Sequence, residues 1–97
     1  MKPFEMHHEV FDDLRQAADF YDRGTPPTGR RFLMAVDDAI QKLLFDPAAR
    51  PVLQGEVRRQ PVDDFPYHIL FIDEPHRVWI VGVAHYSRKT AYWRKRL

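Results

Sequence analysis

The stretch 65–97, FPYHILFIDEPHRVWIVGVAHYSRKTAYWRKRL, decides the fold. It holds two runs rich in β-branched, aliphatic and aromatic residues, Tyr67–Ile72 and Val78–Ala84, with Pro75 in the polar stretch between them. Such runs read as strand, turn, strand. Apolar residues fill consecutive positions rather than alternate ones, as in strands covered on both faces or lying centrally in a small sheet. The pair is therefore expected at the middle of the fold. From His85 to Arg96 the pattern turns basic and aromatic, and this junction is where function is expected.

Upstream of this hairpin, Asp63-Asp64 marks a turn, and Glu56–Gln60, ended by Pro61, reads as the first strand of a three-stranded meander. Val57 and Arg59 share one face of it, and Arg58 projects with Glu56 and Gln60 on the other. Residues 46–55 read as a proline-punctuated connection. Phe32, Val36, Ile40 and Leu43 recur at helical spacing and predict a helix over 30–45, stopped by Asp46-Pro47. Val10, Leu14, Ala17, Ala18 and Tyr21 predict another over 8–22, with Glu9, Asp12 and Asp13 where a helix dipole favours negative charge. Thr25-Pro26-Pro27-Thr28-Gly29 breaks the two apart, Thr28 is the expected cap of the second helix, and the short link implies an antiparallel pair. Phe4 and Met6 share a parity that suits a short N-terminal strand. The expected architecture is α+β: β-α-α-β-β-β, a helix pair packed on a small antiparallel sheet, in a single domain spanning 1–97.

A chain of 97 residues with 44% apolar and 13% aromatic residues suffices for one modest core without a large buried active-site cavity. It has no cysteine, which excludes disulfide and thiolate chemistry and fits a reducing compartment. No run approaches the ~20 apolar residues that cross a bilayer, so a soluble, cytoplasmic protein with no membrane partner is expected. The net charge of +1 conceals an asymmetry: residues 1–48 hold six Lys/Arg against nine Asp/Glu, and residues 49–97 hold nine against five. Arg77, Arg88, Lys89, Arg94, Lys95 and Arg96 follow the last acidic residue, Glu74, as an uncompensated basic segment suited to an acidic partner or a phosphate backbone.

Several chemistries lack their signatures. Four glycines form no phosphate-cradling loop, and no serine sits in a nucleophile elbow. The histidines, His7, His8, His68, His76 and His85, are not at zinc-ligand spacing, so neither metal nor cofactor is expected. The adjacent pairs Asp12-Asp13, Asp37-Asp38 and Asp63-Asp64 diverge and read as solvated faces and turns. What remains is a cluster near the C-terminus. His85 shares strand parity with Trp79, Val81 and Val83; Gly82, on the other parity, permits close approach of a neighbouring backbone. His68 lies on the adjacent strand, toward or away from His85 according to a register the sequence leaves open. His85, Arg88, Tyr92 and Arg58 have the residue types for metal-free phosphodiester cleavage, as acid, base and anion clamp. The plainer alternative, which these residues favour, makes Tyr92 and Trp93 a hydrophobic clasp on the helices with the arginines as its rim.

FPY-H-ILF followed by VWIVGVAH-Y-SRKTAYW-RKR resembles the closing pattern of the RelE/ParE toxin superfamily, especially its ParE-like, plasmid-stabilisation branch. The helix carrying Leu14, Ala17, Ala18, Phe20 and Tyr21, the Arg31-Phe32 opening of the next helix, Asp46-Pro47 and Val57-Arg58-Arg59 are similar in order and spacing. The resemblance implies a small toxin of a type II toxin-antitoxin system, neutralised by a cognate antitoxin and reaching operator DNA only through it. ParE-like members inhibit DNA gyrase. RelE-like members cleave mRNA on the ribosome, without metal, using strand lysines and arginines and a C-terminal tyrosine. Here the strand lysines are missing, Arg58 and Arg59 stand in that region, and His68 occupies a position that is often arginine. Arg88 and Tyr92 do match. The resemblance therefore implies growth arrest by gyrase inhibition, with Arg59, His68, Arg88, Lys89, Trp93 and Arg94 contacting the target. The alternative is a ribosome-dependent mRNA endonuclease using His85, Arg88, Tyr92 and Arg58.

Overall fold

A computed structural model describes residues 1–89 and 91–97; Thr90, inside the basic C-terminal segment, lies outside the described residues. The chain runs β1 (Phe4–Met6), α1 (Val10–Asp22), α2 (Gly29–Phe45), a 3-10 turn (Pro47–Ala49), β2 (Val52–Gln54), β3 (Val57–Pro61), β4 (Tyr67–Asp73), β5 (Val78–His85) and α3 (Ala91–Arg94). One five-stranded sheet has the order β1-β5-β4-β3-β2. The two long apolar runs are its central strands, as expected, and β3, β4 and β5 form the antiparallel meander.

The sheet is mixed rather than antiparallel, because β1 pairs parallel with β5, Phe4 against Val78 and Met6 against Ile80. Three residues carry too little pattern to fix a strand's direction. β2 lies inside the stretch expected to be a plain connection: its three residues are all exposed, so no alternation marks them, and Gly55, with φ 57°, makes the tight turn into β3. The helix link also differs in detail. Thr28 makes no side-chain cap; instead Asp22 Oδ1 accepts the Gly29 N–H at 2.8 Å, and Gly29 sits so close to the α1 backbone that a Cβ there would meet Ala18 O at 2.6 Å.

Consecutive apolar positions in β4 and β5 are explained by two cores. On one face Ile69, Phe71, Val78, Ile80 and Val83 pack under Val10 and Ala17 of α1 and Phe32, Val36, Ile40 and Leu43 of α2. On the other, Val57, Leu70, Val81 and Ala84 are covered by Trp93, itself only 2% exposed. Each large side chain buried this fully contributes about 1.5–3 kcal/mol. The Tyr92-Trp93 clasp thus exists, but on the sheet face away from the helices rather than on them.

A bulge decides where the C-terminal side chains point. Leu70 pairs with Gly82 and Phe71 with Ile80, so Val81 is an extra residue in β5. Parity reverses across it. Trp79 and Val81 pack on the Trp93 side, whereas Val83 packs with the helices, and His85, opposite Tyr67, continues the helix side. The shared parity of His85 with Trp79 and Val81 is therefore corrected by one inserted residue.

β1 leaves β5 after His7 N–H donates to Ile80 O at 2.9 Å. Beyond that point two side chains take the place of a strand. Asp13 Oδ2 accepts the Val83 N–H at 3.2 Å, and Arg96 Nη1 donates to Val81 O at 3.0 Å. Arg96 also grips Asp13 with both terminal nitrogens, at 2.8 and 3.1 Å. Asp13 is thus a buried residue rather than part of a solvated face, and the pair ties α1, the β5 edge and the C-terminus together.

Candidate functional site

The junction singled out in the sequence lies where β4 and β5 end, and the sheet divides its residues between two faces. On the helix side His85 and Arg88 line a cleft of about 430 Å³ together with Phe20, Arg23 and Tyr67, and Asp13 lies at its base. The His85 ring stands edge-on to Tyr67 with centroids 5.4 Å apart. Its Nδ1 accepts the Ser87 N–H at 3.0 Å, which leaves the proton of the neutral ring on Nε2. Burial raises the Tyr67 phenol above its ordinary range, partly offset by the nearby Arg88 charge.

On the opposite face Arg59, His68 and Tyr86 come together. The Arg59 guanidinium lies 5.4 Å from the centre of the Tyr86 ring, and the His68 ring meets Tyr86 edge-on at 5.2 Å. His68 pairs with Ala84 and Tyr67 with His85, so the two histidines are close along the sheet but on opposite sides of it. Burial, then the Arg59 charge and then His85, push His68 down to about 4. It is neutral at physiological pH, and among the described residues its buried Nδ1 has no hydrogen-bond partner.

Tyr92 lies between stacked cations, with Arg88 3.9 Å from its ring centre and Arg96 at 4.7 Å. Among the described residues its buried hydroxyl meets no hydrogen-bond partner in good geometry, and it points at Gly82, where a Cβ would lie 2.5 Å from the phenol oxygen. Gly82 therefore makes room for a side chain, not for a neighbouring backbone. Burial, helped by Asp13, holds the Tyr92 proton far above its ordinary range, so this phenol neither donates nor accepts a proton readily near neutrality. Arg58 faces the helix side too but lies away from His85 along the sheet, pairing with Phe71 where His85 pairs with Tyr67, and it donates from Nη1 to the Arg50 carbonyl at 2.7 Å. His85 and Arg88 thus share a cleft, while Tyr92 and Arg58 are not brought to it as free groups.

Of the residues expected at a target surface, Arg88, Lys89 and Arg94 are exposed and Arg59 is half-buried. Trp93 and His68, at 2% and 7% exposure, are core residues instead. Nor is the basic segment wholly uncompensated. Arg96 is paired with Asp13 and lies 3.1 Å from Glu9, and Arg77 pairs with Glu74 at 2.6 Å and Glu5 at 2.9 Å while covering Trp79. His7 and His8 do not diverge; their rings stack with centroids 4.3 Å apart. Among the described residues no three His, Asp or Glu converge to hold a metal ion, and no helix is long and apolar enough to cross a membrane.

Sequence reasoning missed Asp13, Arg23, Tyr67 and Tyr86. Asp13 carried a signal: it falls three residues after Val10 and four before Ala17, within the apolar stripe of α1. Arg23 and Tyr86 carried none, since their roles arise only from how α1 and the strand ends meet.

No protein-family model matches the chain, and no curated protein sequence matches it. Among solved structures, a chain of the "Chromosomal ParDE TA system from P. aeruginosa" is similar with a TM-score of 0.75 at 16% identity, covering 88% of this chain and 96% of that one. The fold that the closing motifs led us to expect is borne out: this chain has the ParE-like α+β fold.

Proposed function

We propose that the chain is the toxin of a type II toxin-antitoxin pair and arrests growth by binding DNA gyrase, a cognate antitoxin neutralising it. The likeness to a chain of a ParDE toxin-antitoxin system supports the first part. One observation favours binding over mRNA cleavage: the four residues suited to cutting a phosphodiester do not form a working set. Tyr92 is buried with its hydroxyl against Gly82, and the Arg58 guanidinium is engaged with the Arg50 carbonyl. With Tyr92 and Arg58 outside the set, His85 and Arg88 make a better recognition surface than a catalytic one.

The reading is tested by inducing the chain without an antitoxin in bacteria and following labelled thymidine and labelled methionine incorporation over the first minutes. DNA synthesis falling first supports gyrase inhibition. Protein synthesis falling first, with mRNA cuts that need translation, replaces it with the endonuclease reading.

A further inference from the structure

The helix-side cleft has an unusual balance of satisfied and unsatisfied groups. Its buried carboxylate, Asp13, is spent on Arg96 and the Val83 N–H. Its cations are not: among the described residues neither Arg23 nor Arg88 forms an ion pair, whereas Arg15, Arg77 and Arg96 all do. Arg88 is nevertheless held in position by the Tyr92 ring. The His85 ring adds an Nε2–H donor, because its Nδ1 is taken by Ser87. With Asp13 paired, two guanidinium groups stand against one further acid in the lining, Asp19, so the cleft presents donors and a positive balance beside the apolar surface of Ala17 and of Phe20, which is 60% exposed.

We propose that this cleft is a docking site for one carboxylate side chain of a partner polypeptide, with the adjacent apolar residue of that segment seated on Phe20. The proposal rests on the reading that the chain is neutralised by a partner protein and names where and how that partner is gripped. Charge decides between a peptide and a nucleic acid. A phosphate backbone is bound by cations spread along several phosphates, but here Arg23 and Arg88 share the lining with a further acid, Asp19. Two guanidinium groups confined to one cleft fit a single carboxylate, for which arginine's planar fork is suited. The mixed polar and apolar lining matches a short anchor of a peptide rather than a polyanion.

The test is an NMR titration of the full chain with an acetylated, amidated pentapeptide of sequence Ala-Leu-Glu-Leu-Ala, its Gln counterpart, and a DNA pentanucleotide. The Glu peptide is expected to bind in the millimolar range, shifting resonances of Arg23, Tyr67, His85 and Arg88. Either Arg23→Ala or Arg88→Ala weakens it about five- to tenfold, whereas Arg94→Ala, on the other face, leaves it unchanged. No shifts at the cleft, equal binding of the Gln peptide, or tighter binding of the oligonucleotide there would each overturn the proposal. Amide spectra of the arginine variants, matching the parent away from the cleft, keep unfolding from being mistaken for lost binding. Because peptide binding is measured in vitro, its failure is distinct from an absence of growth arrest on induction, which bears on the toxin reading alone.

Discussion

The ion pair between Asp13 and Arg96 fastens the C-terminal segment to α1. Their side chains are 4% and 7% exposed, so each would be a buried charge without the other. Removing one partner of such a pair costs about 3–5 kcal/mol, while replacing both by apolar groups of similar size is close to neutral. Asp13→Leu removes the two-pronged partner of Arg96, leaving that guanidinium only Glu9 at 3.1 Å, and leaves the Val83 N–H without its acceptor; Arg96→Met strands the carboxylate and the Val81 carbonyl. Each single variant should therefore lose about 3–5 kcal/mol in urea unfolding, or on the order of 15–25 °C in Tm for a domain this size. The double variant should recover at least about 2 kcal/mol of the summed loss. Fluorescence of Trp93, buried by the same C-terminal segment, should shift to the red in Arg96→Met before global unfolding. Additive losses below about 1 kcal/mol each, with no spectral change, would refute the view that this pair fastens the terminus to α1.

Tyr92→Phe should be neutral or slightly stabilising, because the hydroxyl it deletes is buried without a partner; under the gyrase reading it also stays toxic, as a growth assay would show. Gly82→Ala sets a Cβ 2.5 Å from that hydroxyl and should cost about 1–3 kcal/mol, much of it regained in a combined Gly82→Ala, Tyr92→Phe chain measured by thermal unfolding. At Gly29 the obstruction includes backbone, Ala18 O at 2.6 Å from the added carbon, so Gly29→Ala should destabilise by about 2 kcal/mol or more with no side-chain rescue. His68, held down at about 4 when folded against 6.5 when free, makes the unfolded chain the stronger proton binder. Stability should be full above about pH 6.5 and fall by up to about 3 kcal/mol as pH drops toward 4, a slope that His68→Phe removes in pH-dependent denaturation.

Much of this architecture was written in periodicity. Phe32, Val36, Ile40 and Leu43 gave α2 because one face of a helix must meet a sheet, and the unbroken apolar runs gave β4 and β5 because both their faces are covered. The site was less legible, for three physical reasons. The extra residue at Val81 is invisible in a run where every position is apolar, yet it sends His85 to the helix side. Asp13 reads as surface charge unless its cation, 83 residues away, is known to arrive. Trp93 was legible as a clasp, but not the face it covers: α3 folds back over the sheet side away from the helices, a tertiary choice that no local pattern encodes.

The strand order also governs when the molecule can form. β5 lies between β1 and β4, so β1 has no partner in the sheet until residues 78–80 have followed it. The helix pair can assemble early from neighbouring contacts, but its apolar face has only itself to cover until β4 and β5 arrive. Closure then depends on pairings between sequence-distant segments, the slow class of folding contact. The cleft and the clasp made by Trp93 therefore come into being only after β5 has joined the sheet, since both are built on its far end.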